Sequence, residues 1–320
     1  MDITMTHSRV VAAPADDLYR LIADVTLWPV IFGPSVHVEH LQRGPREERF
    51  QLWALVNGEV HSWISRRELD PDARRVTFRQ ERSNPPVAGM GGGWSLRPID
   101  DRRTEVVLDH SFSVSEPGAR ETIRAAVDRN STEELTALGR VAELGEPVDE
   151  IIDTFSDTVV LDGRLPDVYD FVYRSDLWPE RLPHVSRVDL TEGDPGIQVM
   201  EMDTVTADGS AHTTCSVRVC SPNASIAYKQ LVPPSMLLGH SGRWRFAEVD
   251  GGVEVTATHT VAIDPAAARA VLGERSTLAD ARRHLREALG GNGRATLAHA
   301  GRHVTATPGL AGPAGSRPGS

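Results

Sequence analysis

The stretch His61-Ser-Trp-Ile-Ser-Arg-Arg-Glu-Leu-Asp-Pro71 decides how the rest of the chain is interpreted. Its composition predicts a β-strand, in which successive side chains point to opposite faces of a sheet. Trp63, Ser65 and Arg67 then share one face, and Arg66 lies on the other. An arginine is unusual on an inward face that also carries a tryptophan and a serine. Arg67 is therefore the first candidate for a functional residue.

The same strand recurs as His212-Thr-Thr-Cys-Ser-Val-Arg-Val-Cys-Ser-Pro222, shifted by about 150 residues. Histidine, serine, arginine and proline coincide, whereas the tryptophan has become Thr214. Ser216 and Arg218 share the face that corresponds to Ser65 and Arg67. The opposite face is polar in the first copy and apolar in the second, where it carries Cys215, Val217 and Val219. We predict that this outer face packs against the other copy.

A second pair of matching segments shows that the whole chain is duplicated. In each half a short apolar strand leads into an amphipathic helix, which ends at Leu-Trp-Pro, residues 27–29 and 177–179. We therefore expect an N-terminal domain over 1–147 and a C-terminal domain over 153–290. Residues 291–320 are rich in Gly, Ala, Pro and Ser, and we predict that they form a disordered tail.

Within each half, one strand and a helix precede a run of antiparallel strands and a long C-terminal helix. The long helices are predicted over about 118–144 and 265–289, and 89–93, which is rich in glycine, is predicted to be a loop over a cavity mouth. These elements indicate an α+β fold of two tandem domains. Each is a curved antiparallel sheet around its C-terminal helix, with either a packed core or an internal cavity between them.

The last strand of each half carries one histidine on an otherwise apolar inward face, His110 and His259. A lone histidine of this kind is usually a satisfied core residue, and a strand arginine is usually solvated. Here the arginine and the histidine recur together in two halves that have otherwise diverged widely. This recurrence favours a functional pair, Arg67 with His110 and Arg218 with His259.

The pair suits carbonyl chemistry. A guanidinium stays charged and offers several donors to an enolate or alkoxide oxygen, and a histidine moves protons near neutrality. Ser65 and Trp63 would orient a flat, unsaturated substrate. Further candidate substrate-binding residues are Trp28, Phe32, Trp53, Met90 and Trp94 in the first half, and Trp178, Ser216 and Trp244 in the second.

Composition excludes several other classes of function. The formal net charge of −11 argues against nucleic acid as a partner. The chain has no apolar run long enough to span a bilayer and no secretory pattern at its N-terminus, so we expect a cytoplasmic protein without a membrane partner. It has no metal-spaced cluster, dinucleotide fingerprint or Gly-x-Ser-x-Gly motif, so we expect no metal and no cofactor.

The chain resembles the di-domain aromatase/cyclases of bacterial type II polyketide synthases, which belong to the START/Bet v1-like helix-grip superfamily. The resemblance rests on Leu27-Trp28-Pro29, on Trp63-Ile-Ser65-Arg66-Arg67, on the strand of Trp94 and on Asn130-Ser-Thr132. It covers both halves but not the tail. It implies first-ring closure of a carrier-bound, ketoreduced poly-β-ketone by intramolecular aldol reaction, between its seventh and twelfth carbons, followed by dehydration to an aromatic ring.

The resemblance also implies partners and site residues. The partners would be an acyl carrier protein, the minimal polyketide synthase and a ketoreductase. The pocket arginine of the family falls on Arg67, and the histidine of some members falls on His110. Chain length, starter unit, the carbons that are joined, any carboxylate that works with the histidine and the oligomeric state stay open. A monomer with two pseudo-symmetric domains is compatible with the sequence.

Three alternatives remain at this point. The second half has Thr214 for the tryptophan but keeps Arg218 and His259, so one or both pockets could be catalytic. A non-catalytic helix-grip carrier of a hydrophobic or aromatic small molecule would need an apolar cavity but not the duplicated pair. A chaperone-like structural subunit would need neither residue of the pair.

Overall fold

The computed structural model describes residues 2–83, 85–205 and 211–306. The first half contains β1 (Ile3–Val11), α1 (Ala15–Ala23), α2 (Trp28–Ile31), β2 (Ser35–Arg43), β3 (Glu47–Val56), β4 (Glu59–Asp70), β5 (Arg75–Gln80), β6 (Val87–Asp100), β7 (Arg103–Val114) and α3 (Arg120–Ala142). The second contains α4 (Val148–Ile151), β8 (Ile152–Leu161), α5 (Leu165–Tyr173), α6 (Trp178–Arg181), β9 (Val185–Glu192), β10 (Ile197–Val205), β11 (Ala211–Ser221), β12 (Ser225–Gln230), β13 (Leu237–Val249), β14 (Gly252–Ile263), α7 (Pro265–Leu272) and α8 (Leu278–Ala306).

Each half forms one seven-stranded antiparallel sheet with the same strand order. The orders are β1-β7-β6-β5-β4-β3-β2 and β8-β14-β13-β12-β11-β10-β9. From β2 to β7 and from β9 to β14 each strand pairs with the next one in the chain, whereas the first strand of each half pairs with the last. The duplicated α+β architecture predicted from the sequence is thus confirmed.

The long helix of the first half packs on the concave face of its sheet. In α3 the buried side chains include Val127, Leu135, Leu138 and Val141, which follow the helical period. Leu135, Leu138 and Val141 join a core that also contains Trp94. The spacing of apolar residues therefore predicted both this helix and its buried face.

The predicted end of the second domain at residue 290 is wrong, because α8 continues to Ala306. Leu297, Ala300 and Val304 lie beyond that boundary and are buried in the core of the second half. Burial of this face against the sheet outweighs the poor helix propensity of the glycines. The single helix predicted over 265–289 is also wrong, since α7 and α8 are separate. Residues 307–320 of the predicted tail lie outside the described residues.

The predicted loop at 89–93 is part of strand β6. A Cβ on Gly92 would lie 2.8 Å from Cζ of Phe78 and 1.9 Å from the carbonyl oxygen of Asp109. Glycine is therefore required here because the aromatic ring lies across the strand. The sequence shows that these residues are glycines, but it does not show that the ring of Phe78 packs against Gly92.

The two halves are joined by a buried contact. The Nζ of Lys229 donates to the carbonyl oxygens of Phe32, Gly33 and Ser35, at 2.7, 2.5 and 2.9 Å. Beside it, the outer face of β11 packs Val217 and Val219 against Val36 and Trp53 of the first half, as predicted. No helix of the described part of the chain is both long and apolar enough to cross a membrane.

Candidate active site

The candidate residues of the first half lie in one row across the sheet. Strand pairing aligns Glu48 with Arg67, Arg67 with Phe78, Phe78 with Gly92 and Gly92 with His110. Three strand spacings separate Arg67 from His110, which places their Cα atoms roughly 14 Å apart. The arginine and the histidine thus share a face without touching each other.

Arg67 is 1% exposed and ties the end of α1 to the sheet. Its Nε donates to Glu48 at 2.8 Å, its Nη1 to the carbonyl of Ile22 at 2.9 Å and its Nη2 to the carbonyl of Ala23 at 2.5 Å. The Nη2 also donates to Glu48. Burial lowers the pKa of Arg67, and the carboxylate of Glu48 opposes that shift. Among the described residues, these bonds leave one of the five N–H groups, on Nη1, without a hydrogen-bond partner.

His110 and Ser131 together define a proton acceptor. The Oγ of Ser131 donates its only hydrogen to the carbonyl of Val127, at 2.7 Å. The 3.2 Å contact between that Oγ and Nδ1 of His110 therefore requires a hydrogen on Nδ1. Nε2 then carries the lone pair. Burial lowers the pKa of His110 to about 4, so the ring is a neutral base at neutral pH.

Aromatic side chains surround the arginine end of this row. The guanidinium lies over Trp28 and Phe50, with 5.1 and 5.4 Å from Cζ to the ring centroids. Phe32 packs edge-on against Trp28 at 5.5 Å. Trp63 packs against the cluster that includes Phe50. The inward placement expected for Trp28, Phe32 and Trp63 agrees with these contacts.

The remaining predicted residues of the first half have different locations. Trp94 is buried and its ring stacks on that of Phe32, with 6.3 Å between the centroids. Ser65 is also buried. Met90 lies near the start of β6 and is partly buried. Trp53 lies on the opposite face of the sheet from the row of Arg67 and His110, so its assignment as a pocket wall is wrong. It stacks on His37 at 5.3 Å on the outer face, because the alternation of β3 turns Phe50, Leu52 and Ala54 inward instead.

The second half repeats the row with altered chemistry. Its pairing aligns Gln198, Arg218, Tyr228, Gly242 and His259. Gln198 therefore stands where the first half has Glu48, and Tyr228 stands where it has Phe78.

Arg218 ties the end of α5 to the second sheet, as Arg67 does for α1. It donates to the carbonyl of Val172 and to Oγ of Ser175, both at 2.6 Å. Its Cζ lies 5.6 Å from the ring centroid of Trp178. Burial lowers the pKa of Arg218. Ser216 and Trp244 are buried as well.

Tyr228 and His240 are functional candidates that the sequence analysis missed. Nδ1 of His259 lies 3.0 Å from Oη of Tyr228 and 3.2 Å from Nε2 of His240. The repeat already aligned Tyr228 with Phe78, so a polar substitution in the middle of the row was a signal available in the sequence. Ser131 was noted only as part of a motif, and Glu48 was not noted.

Two clefts lie between the halves. One, of about 770 Å³, is lined by α1, by residues 148–154, by Arg282 and Arg286, and by Glu48, the carboxylate that pairs with Arg67. The other, of about 330 Å³, is lined by residues 29–34 and by parts of α3 and of residues 229–239. Its wall includes Glu134, whose pKa is raised to about 7 by burial and by the neighbouring Glu133.

Comparison with known proteins shows the family to which the chain belongs. A family model described as polyketide cyclase/dehydrase and lipid transport matches twice, at residues 2–143 and 153–309. The granaticin polyketide synthase bifunctional cyclase/dehydratase of Streptomyces violaceoruber is 53% identical over 297 residues, which are 92% of each chain. The actinorhodin polyketide synthase bifunctional cyclase/dehydratase of Streptomyces coelicolor is 52% identical, covering 92% of this chain and 95% of that protein.

Two solved structures have the same two-domain fold. The di-domain ARO/CYC BexL from the BE-7585A biosynthetic pathway superposes with a TM-score of 0.83 and 47% identity, covering 96% of this chain and all of BexL. The di-domain ARO/CYC StfQ from the steffimycin pathway has a TM-score of 0.81 and 37% identity, covering 94% and 98%. The chain therefore belongs to the polyketide cyclase/dehydrase family, as a di-domain aromatase/cyclase with two tandem helix-grip domains.

Proposed function

We propose that the first half closes and aromatises the first ring of a carrier-bound, ketoreduced poly-β-ketone, with His110 as the base. The observation that carries this assignment is the bond between Ser131 and Nδ1 of His110, which leaves the lone pair of Nε2 free. The methylene groups between the carbonyls of a poly-β-ketone are acidic, and a neutral imidazole suits their deprotonation.

In each of the two steps, Nε2 of His110 takes up a proton and then returns it. Nε2 of His110 takes a proton from a methylene carbon, and the resulting enolate attacks a carbonyl carbon further along the chain. The alkoxide that forms takes a proton from the histidinium. In the second step Nε2 removes a proton next to a carbonyl, and the hydroxyl leaves as water after receiving that proton. This sequence balances without a cofactor.

The arginine acts at a distance in this proposal. The row from His110 to Arg67 spans roughly 14 Å, a length that an extended polyketide chain can cover. The free N–H of Arg67 would bind a carbonyl oxygen far from the new bond, so this arginine fixes which carbons meet. Ser65 and Trp63 lie on the same face of β4 and would hold the intervening chain. In the second half Arg218 and His259 occupy the corresponding positions, and we propose that they support substrate binding while the first half closes the ring.

The partners follow from the substrate. Relatives with more than half of their residues identical are named as parts of polyketide synthases. We therefore propose that this chain receives its substrate on an acyl carrier protein after the minimal synthase and a ketoreductase have acted.

Replacing His110 tests the assignment. His110→Ala, added to a minimal synthase with ketoreductase, should lower formation of the correct first ring at least about 100-fold and divert carbon to spontaneously cyclised products. Chromatography with mass spectrometry would measure both. His61→Ala, on an exposed histidine of β4, is the matched control and should leave the products unchanged. A normal product profile from a folded His110→Ala protein would support the carrier function instead.

A further inference from the structure

The 330 Å³ cleft between the halves has one wall from each of them. The first half contributes residues 29–34, around the end of α2, and one side of α3 between Thr132 and Arg140. The second half contributes the end of β12, the start of β13 and parts of the segment that joins these strands. Neither half alone forms this cleft, and its volume lies in the range of sites for small molecules.

The two walls touch at one point and leave open space at another. A Cβ on Gly239 would lie 2.3 Å from the carbonyl oxygen of Val30, so β13 and α2 are in direct contact there. A Cβ on Gly33, which lines the cleft, would meet no atom within 4 Å. The φ of Gly33 lies outside the left-handed region, so a side chain at this position would fill open space without backbone strain.

The lining of the cleft is mainly apolar, with a few polar groups. Its apolar part includes Pro29, Ile31, Pro34, Ala137, Leu231 and Leu238. The hydroxyl groups of Thr132 and Thr136 are satisfied, because each donates to a carbonyl oxygen of α3. Lys229 is satisfied as well by its three carbonyl oxygens.

Three polar groups of the lining have no partner in the part of the chain that the structure describes. They are the amide of Gln230, the carboxyl of Glu134 and the guanidinium of Arg140. Oε1 of Gln230 is buried, and a buried amide oxygen without a hydrogen bond is costly. A half-turn of this amide exchanges its oxygen and nitrogen, so it can offer a ligand either an acceptor or a donor.

These groups are ordered along α3. Arg140 follows Glu134 by six residues, which places it about 9 Å further along the helix axis. Burial and the neighbouring Glu133 raise the pKa of Glu134 to about 7, so its carboxyl is partly protonated at neutral pH and can donate to a carbonyl oxygen. One end of the cleft therefore offers hydrogen bonds suited to amides, and the other end offers a cation.

The end of the cleft that is remote from Arg140 lies beside the active site of the first half. Thr132, which lines the cleft, directly follows Ser131, whose hydroxyl contacts His110. Phe32 also lines the cleft, and its ring packs against Trp28 and Trp94. A ligand that lies along α3 can thus have one end at Arg140 and the other next to the pocket.

We propose that this cleft binds the phosphopantetheine arm of the carrier protein that presents the substrate. The phosphate group binds Arg140, the two amide groups bind Gln230 and Glu134, and the dimethyl-substituted carbon packs on the apolar lining. The thioester end of the arm then lies toward the pocket of His110. The proposal rests on the proposed function for the identity of the substrate. It also gives the contact between the two halves a role, since both are needed to form the site.

Binding of the isolated arm tests the proposal without turnover. Pantetheine 4′-phosphate and pantetheine would be titrated into the full chain, and calorimetry would measure Kd. Gly33→Leu should weaken binding of both compounds at least about tenfold, because its side chain fills the opening. The matched control is Gly193→Leu, since a Cβ on Gly193 also meets no atom within 4 Å and this residue does not line the cleft. It should leave both affinities unchanged.

Two further variants separate the two ends of the arm. Gln230→Leu removes the amide and should weaken binding of both compounds about threefold or more. Arg140→Ala should weaken binding of pantetheine 4′-phosphate by a similar factor and leave that of pantetheine unchanged. Arg129→Ala removes an exposed arginine of α3 that does not line the cleft, so it should change neither affinity.

Coenzyme A contains the same arm, and carrier protein with and without its arm distinguishes the two sources. The carrier with its arm should bind the wild-type protein more tightly than the carrier without it, and Gly33→Leu should abolish this difference. If coenzyme A bound at least about tenfold more tightly than pantetheine 4′-phosphate, the cleft would belong to the coenzyme and the proposal would be overturned.

Two other outcomes would overturn the proposal. One is a lack of binding of pantetheine 4′-phosphate at millimolar concentration. The other is equal affinity of the wild-type, Gly33→Leu and Gln230→Leu proteins with the same melting temperature. If Gly33→Leu did not fold, Gln230→Leu and Arg140→Ala would decide the question. Failure of the proposed function would look different, because His110→Ala would then give normal rings while binding of the arm stayed as in the wild-type protein.

Discussion

At the scale of single residues, the structure changes the meaning of Arg67. The sequence predicts an inward arginine that holds an oxygen of the substrate. The structure adds that the same guanidinium is paired with Glu48 and holds two carbonyl groups at the end of α1. Arg218 keeps the helix contacts without the glutamate, because Gln198 replaces it. The part of the role common to both copies is therefore to fix the helix on the sheet.

This contact makes Arg67→Ala a poor test of catalysis. The substitution removes the arginine from buried Glu48, which keeps only its 3.0 Å contact with Nε2 of His40. We expect the free energy of unfolding to fall by about 3–5 kcal/mol. Glu48→Gln instead copies the second half and keeps the arginine, so it should cost less than half as much. Denaturant unfolding of both variants would compare them. If Arg67→Ala were as stable as the wild-type protein, the contacts of Arg67 with Glu48 and α1 would not stabilise the fold.

At the scale of elements, the predicted bounds of the long helices differ most from those in the structure, and the difference lies in α8. The pattern of α3 is regular, and its bounds were predicted within a few residues. In α8, Gly290, Gly291 and Gly293 resemble the start of a flexible tail. Two of these glycines face the sheet: a Cβ on Gly290 would lie 2.6 Å from a carboxylate oxygen of Asp157, and Gly293 faces Trp244 and His259. They allow close approach of the helix to the sheet.

The segment beyond the predicted boundary should therefore contribute to stability. Leu297 is 1% exposed in the core of the second half. Leu297→Ala should lower the free energy of unfolding by about 2–4 kcal/mol because it leaves a cavity. Arg302→Ala, on the exposed side of the same helix, should change it by less than about 0.5 kcal/mol. Thermal and urea unfolding would measure both, and similar small effects would argue that this end of α8 is not packed.

At the scale of the whole molecule, Lys229 joins the two halves. It is the only lysine in the chain, and its ammonium group binds three carbonyl oxygens of the segment that carries Phe32. That segment also supports the pocket of the first half, since Phe32 packs against Trp28 and Trp94. The position of one half is thus linked to the pocket of the other.

Lys229→Met should weaken this link. The variant keeps the length of the side chain but removes the donor shared by the carbonyls of Phe32, Gly33 and Ser35, of which that of Phe32 still accepts from the N–H of Ser35. We expect a cost of about 2 kcal/mol or more in total. We expect the unfolding transitions of the halves to separate in urea. Arg243→Ala removes the partly exposed pair of Arg243 with Glu39 and should cost less than about 1 kcal/mol. A single, unshifted transition for Lys229→Met would contradict the link.

Several features were predictable because they depend on neighbours in the chain. Alternation along β4 separates Arg66 from Arg67, and the structure places the first outside and the second inside. The periodicity of α3 gave its buried face. The duplication was visible as repeated motifs, and with it the recurrence of one arginine and one histidine in each half.

The chemistry of the sites depended on contacts between distant segments, which only the tertiary structure provides. Trp53 has an aromatic side chain that suits a pocket, but the alternation of β3 turns it to the domain interface. Which nitrogen of His110 carries the lone pair is set by Ser131, which lies on α3. His240 and His259 meet because β13 and β14 pair in one register. The sequence by itself determined the fold, the family and the inward position of Arg67, because alternation and repetition can be read from the order of residues. The hydrogen-bond partners of the site residues and the tautomer of His110 were decided by the packing of strands and helices that are far apart in the chain.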